Sequence, residues 1–296
     1  MTSTSPASRL ALGTAQFGLP YGISNTGGQV SRVKGAALLS LAARSGMDTL
    51  DTAIAYGESE SRLGKLGVPD WKVITKLPAL PDGVGSVAGW VDEHVSGSLS
   101  RLRIQRLHGL LLHRPEQLLA ADGKALHRAL LDQRDRGRVG KIGVSIYGPD
   151  ELDNLPASMR FDIVQAPLNI LDRRMLQSGW ARRLSDSGCE FHARSIFLQG
   201  LLLMSPAARP ARFDRWEPLW RIWDDWLDAT GTTALQACLQ FAIRIPEVGK
   251  VVVGVDSAAH LGGILEAASS DAPPPLPEGF ATDDLALLNP ALWPRT

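Results

Sequence analysis

The chain has two cysteines in 296 residues, Cys189 and Cys238. They lie far apart, without a CxxC pair or a histidine at ligand spacing, so neither a disulfide framework nor a zinc site is expected, and both read as small buried hydrophobes. Net charge is also lacking, with 31 basic against 31 acidic side chains. Binding to nucleic acid or an anionic membrane draws on a basic face, and the overall balance supplies none. No apolar run approaches the roughly 20 residues of a membrane-spanning helix. The polar start, Met1 to Arg9, has no apolar core of a secretory signal, and a cytoplasmic location is expected. No HExxH or GxSxG occurs, so zinc-hydrolase and serine-hydrolase chemistry have nothing to rest on, and no metal site is expected. The segment from Gly83 to Gly89 misses the dinucleotide fingerprint, because its last glycine comes one place late.

What is present is an alternation. With 44% hydrophobic residues the chain can build a sizeable core, and short apolar runs alternate with stretches of helical period. The strand candidates are Leu10 to Gln16, Thr49 to Ala53, Lys72 to Lys76, Gly109 to His113, Lys141 to Ser145, Phe161 to Gln165, Glu190 to Arg194 and Lys250 to Val253. Helices are predicted over Val33 to Arg44, Ser59 to Leu66, Val87 to Leu102, Gly123 to Gly137, Pro149 to Asn154, Trp180 to Ser187, Glu217 to Ala229, Thr233 to Ile243 and Ala258 to Ala267. Strands this apolar are covered on both faces, which suits a closed α/β architecture, a single (β/α)8 TIM barrel over residues 1–296. Trp216, Leu219, Trp220, Trp223 and Leu227 fall at helical spacing and predict one packed face. The tail from Ser269, with its proline run, is expected to lie over the surface as extended chain and to cross one mouth of the barrel.

Such a barrel builds its active site at the C-terminal ends of its strands. Asp51, Lys76 and His113 all stand there, late in the second, third and fourth strands, and Tyr56 lies in the loop after the second. Any one of these alone reads as an ordinary ion pair, core ring or structural histidine. The four together, in the stretches Leu50-Asp51-Thr52-Ala53, Tyr56-Gly57-Glu58-Ser59-Glu60, Ile74-Thr75-Lys76-Leu77 and Leu111-Leu112-His113-Arg114-Pro115, read as a site.

These stretches resemble the aldo-keto reductase superfamily, whose barrel carries an Asp, Tyr, Lys, His tetrad in this order and spacing. The likeness extends to Leu12-Gly13-Thr14, Ile142-Gly143-Val144-Ser145, Gln165, Gln199-Gly200-Leu201-Leu202 and Gly254. It implies an NAD(P)H-dependent oxidoreductase that reduces an aldehyde or ketone, with Asp51, Tyr56, Lys76 and His113 catalytic. A developing alkoxide needs a proton donor, and tyrosine, with a reference pKa of about 10, needs a cation to act as one near neutrality. Lys76 is expected to be that cation, Asp51 to keep it charged, and His113 to hold the carbonyl oxygen.

By the same resemblance the cofactor lies along Gly13, Thr14, Ala15, Asp51, Ser145, Gln165, Arg194, Ser195, Phe197, Gln199, Gly200, Gly254, Val255, Ser257 and His260. In the family an asparagine follows the serine of the fifth strand, where this chain has Ile146, and a Glu-Asn pair stands where it has Gly263-Ile264. Arg194 occupies a place that often holds an aromatic stacking on nicotinamide, and a planar guanidinium can stack as well. NADP(H) is the expected cofactor. NAD(H) competes because Asp256 replaces a frequent basic residue, and a carboxylate about 5 Å from a 2′-phosphate costs about 3 kcal/mol at an effective dielectric of about 20. Phe17, Tyr21, Arg114 and Tyr147, in loops at the same rim, are candidates for the pocket of a small-molecule carbonyl substrate. Two other readings remain open: a nicotinamide-binding regulatory or redox-sensing subunit without turnover, and a barrel isomerase or dehydratase using Tyr56 and Lys76. The oligomeric state is left unassigned.

Overall fold

The predicted apolar runs pair with their neighbours in sequence order, all parallel, and the eighth returns to the first, closing a barrel. The computed structural model describes residues 5–23 and 27–293. Residues 1–4, within the polar start, and 294–296, at the end of the tail, lie outside the described residues. The strands are β1 (Leu10–Gly13), β2 (Thr49–Asp51), β3 (Lys72–Leu77), β4 (Leu107–Leu112), β5 (Val139–Ser145), β6 (Ile163–Pro167), β7 (Glu190–Arg194) and β8 (Val248–Gly254). Helices separate them in the alternating order the periodicity predicts.

Burial explains the closure. β1, β2 and β6 are buried at every position, as expected of strands with barrel interior on one side and helices on the other. Inside the barrel Ile74, Leu111 and Ile163 form a separate apolar cluster, a plug that makes the interior a packed core. Gly143 is required at this crowded level, since a Cβ there would stand 2.1 Å from the carbonyl oxygen of Ile163 on the next strand.

Two expectations need correction. The first strand ends at Gly13, not Gln16, because the Thr14 amide and hydroxyl both donate to the Asp51 carbonyl at 2.9 Å. That turns the chain into a short helical segment, Ala15–Gly18. The tail is not wholly extended either, and its residues do not line the cavity at the mouth. After its proline run it buries Phe280, Leu287 and Leu288 against the tryptophan helix Glu217–Thr230 and coils into a short helix, Leu285–Leu288. Phe280 stacks on Trp223 with ring centroids 5.3 Å apart. Apolar side chains in the tail thus hold it beside the barrel mouth. Among the described residues no helix is long and apolar enough to cross a membrane.

Candidate active site

Strand stagger brings the tetrad together. Asp51 pairs in register with Ile74, and Ile74 with Gly109. Lys76 therefore stands two residues beyond Asp51's partner on the same face of β3, and His113 just past the end of β4. The Lys76 ammonium, 1% exposed, donates to Asp51 Oδ1 at 2.7 Å and to the Thr52 carbonyl at 2.9 Å. Burial pulls its pKa below the ordinary lysine value, and Asp51 pulls in the opposite direction. The other carboxylate oxygen, Oδ2, accepts from Gln165 Nε2 at 2.7 Å. Gln165 in turn accepts from the Ser145 hydroxyl at 3.4 Å.

Tyr56 comes to this group from a tight loop, in which its amide donates to Ala53 O and its carbonyl accepts from Ser59 N, both at 3.0 Å. The Lys76 Nζ lies 5.4 Å from the centre of its ring, and the His113 ring packs edge-on with centroids 5.9 Å apart. The expected direct lowering of the Tyr56 pKa by Lys76 is not the net effect. Burial raises it, and the Asp51 carboxylate raises it further, since Asp51 cancels the lysine charge at the phenol. His113 is pushed down to about 4 by burial and then by Lys76 and Arg194, so its ring is neutral near pH 7.

Above these side chains opens a cavity of about 730 Å³. Gly13, Thr14, Ala15, Asp51, Tyr56, His113, Ser145, Gln165, Arg194, Ser195, Phe197, Gln199, Gly200, Gly254, Val255 and His260 line it, as do Tyr21, Tyr147 and Asp256. Lys76 sits in the wall and reaches the cavity only through its partners. Three predicted residues stand elsewhere. Phe17 is 1% exposed and packs in the core, where a Cβ on Gly35 would stand 3.1 Å from its ring. Arg114 projects outward beside Glu116 at 3.6 Å, because the rim turns away after His113. Ser257 is absent from the lining and caps the helix Ala258–Ser269, its hydroxyl oxygen accepting from His260 N.

The loop after β7 bears on the site through its backbone. Ser195, Leu198 and Gln199 all hold positive φ values, 58°, 48° and 55°, a left-handed conformation that costs side-chain-bearing residues roughly 1–2 kcal/mol each. Such strain clusters at ligand-contacting loops. Reading the sequence missed Gln16, Leu203, Met204, Leu235 and Ala259, which also line the cavity. Gln16 closes the run from Leu10 that reads as strand in the sequence. Its Oε1 is buried without a partner, and Gly254 makes room for its amide, since a Cβ there would stand 2.9 Å from Gln16 Nε2. A free acceptor beside a cavity this large suits a polar ligand.

The sequence model of the Aldo/keto reductase family matches residues 9–273. The aldo-keto reductase YhdN of Bacillus subtilis is 27% identical over 184 residues, 58% of this chain and 53% of its own length, so the chain matches about half of that relative. Among solved structures, an aldo-keto reductase of Bacillus halodurans in its holo form is similar with a TM-score of 0.70 and 18% identity, covering 89% of this chain and 87% of the other. The glycerol dehydrogenase of Gluconobacter oxydans is similar with a TM-score of 0.67, 18% identity and the same shares of the two chains. At these identities the likeness is one of fold.

Proposed function

The chain belongs to the aldo/keto reductase family, and on that premise we propose that it reduces an aldehyde or ketone to an alcohol with a reduced nicotinamide dinucleotide, Tyr56 giving the proton. One observation carries this reading: Tyr56, His113 and the Asp51–Lys76 pair meet at the mouth of one large cavity. When bound, the dinucleotide supplies two electrons and a hydrogen to the carbonyl carbon as the C=O π bond breaks. Everything else falls to the protein.

His113 is neutral and can donate one hydrogen bond to the carbonyl oxygen without competing as an acid. Tyr56 holds its proton firmly until negative charge builds on that oxygen, and then loses it to form the O–H bond. The Asp51–Lys76 pair, buried behind the ring, fixes the donor's surroundings and lets Lys76 respond as the phenolate forms. Gln165 and Ser145 offer amide and hydroxyl groups for a carboxamide, while Gln16 and the strained loop 195–200 line the path of the remaining ligand.

NADP(H) is the cofactor the family resemblance implies, but the far end of the cavity favours NAD(H). Asp256 there pairs with His260 at 2.6 Å. Neither lysine nor arginine stands beside Asp256 in the lining among the described residues, so a 2′-phosphate dianion would meet a carboxylate whose basic neighbour is His260, a cation only when protonated. On this reading the small-molecule partner is a carbonyl compound, with Tyr21 and Tyr147 in the lining of its pocket.

The test is consumption of NADH or NADPH with a panel of aldehydes and ketones, followed at the reduced-nicotinamide absorbance. Tyr56→Phe is expected to lower kcat by about 10²- to 10⁴-fold, the usual contribution of a positioned proton donor, with dinucleotide binding retained. Tight binding without turnover of any carbonyl compound would instead support a regulatory subunit.

A further inference from the structure

The catalytic end of the cavity holds one positive charge more than it neutralises. Asp51 and Lys76 cancel each other at 2.7 Å, and His113 is neutral near pH 7. Arg194, the last residue of β7, adds a guanidinium to the cavity wall. Its partners carry no charge: it donates to the Ile146 carbonyl at 2.8 Å and the Ser195 hydroxyl at 3.2 Å, and stands 4.7 Å over the Tyr147 ring. Among the described residues it forms no ion pair. Nearby acids are engaged elsewhere. Glu151 accepts from the amides of Tyr147 and Gly148, and Asp256 is bound to His260 at the other end. The Arg194 charge is felt at the reacting groups, lowering the proton affinity of Tyr56, Lys76 and His113.

We propose that Arg194 is a charge selector, making the cavity hold the neutral reduced nicotinamide more tightly than the cationic oxidised form. The inference rests on the reading above that a nicotinamide dinucleotide occupies this cavity. Phosphates and riboses carry the same charge in both redox forms, so a fixed cation feels only the one-unit change on the ring. An aromatic side chain at this position would exert no such force. A unit charge supplies a tenfold difference in affinity across about 12 Å at an effective dielectric of about 20. The consequence is directional: reduced dinucleotide is captured and spent dinucleotide is released, which suits a carbonyl reductase better than an alcohol dehydrogenase.

Equilibrium binding without substrate tests this, by calorimetry or tryptophan fluorescence, with NADH against NAD+ and NADPH against NADP+. The wild-type protein is expected to favour the reduced form. Arg194→Gln is expected to shift the ratio of the two dissociation constants about tenfold toward the oxidised form, while Arg194→Lys, which keeps the charge, holds most of the preference. If Arg194→Gln weakens both forms equally, or leaves the ratio unchanged, Arg194 is a packing or phosphate-anchoring residue and the proposal is overturned. Failure of the wild-type protein to bind either redox form would overturn the cofactor reading itself, a separate outcome.

Discussion

Gln165 donates to Asp51 across the barrel, from β6 to β2, at 2.7 Å and over 114 residues of chain. This contact completes the coordination of the Asp51 carboxylate, whose other oxygen receives the Lys76 ammonium. The aspartate is therefore a joint between the lysine and the polar wall of the cavity. Removing one member of a buried ion pair strands the other's charge and costs about 3–5 kcal/mol. Lys76→Met is thus expected to destabilise the protein by that amount in urea unfolding, and Asp51→Leu/Lys76→Met together to recover much of it. A single variant as stable as the wild type would mean that the pair is not charged.

His113 makes stability depend on pH in a defined direction. Its folded pKa is about 4 against an ordinary value of 6.5, so between those values the unfolded chain binds the extra proton. Stability from this residue is present above about pH 6.5 and is lost as the pH falls toward 4. His113→Gln should flatten the loss of unfolding free energy over that window. Parallel pH profiles for the two proteins would refute it.

Gly18 sits against the backbone of Tyr56. A Cβ at residue 18 would fall 1.6 Å from the Tyr56 carbonyl oxygen, so Gly18→Ala must push the Tyr56 loop away. Displacing a reacting group by about 1 Å costs on the order of a hundredfold in rate. A hundredfold fall in kcat with nearly unchanged dinucleotide affinity is expected, and an unaffected kcat would show that the loop yields freely.

Asp256 lines the cavity, at the end where the proposed reading puts the adenosine. With its carboxylate pointed at His260, the Asp256→Arg variant replaces a negative charge by a positive one at that end of the cavity. NADPH affinity should rise at least tenfold relative to NADH, measured by titrating both cofactors. No change would place the 2′-position away from this residue.

Much of the fold was legible because burial on two faces demands short, largely apolar runs, as at Leu10-Ala11-Leu12 in β1 and Leu110-Leu111-Leu112 in β4. The tetrad was legible too, since strand-end position converts order in sequence into position at the rim. What sequence could not specify was direction. Phe17 and Tyr21 stand four residues apart in the segment after β1, yet one packs into the core and the other lines the cavity. That outcome depends on the early end of β1 and the turn forced by Thr14. Likewise, the residue types at 51, 76 and 194 predict a pair and a cation, but only the tertiary structure decides which charges cancel. Electrostatic balance is set by distances of a few ångströms between distant strands, and those distances are properties of the closed barrel rather than of any local stretch of chain.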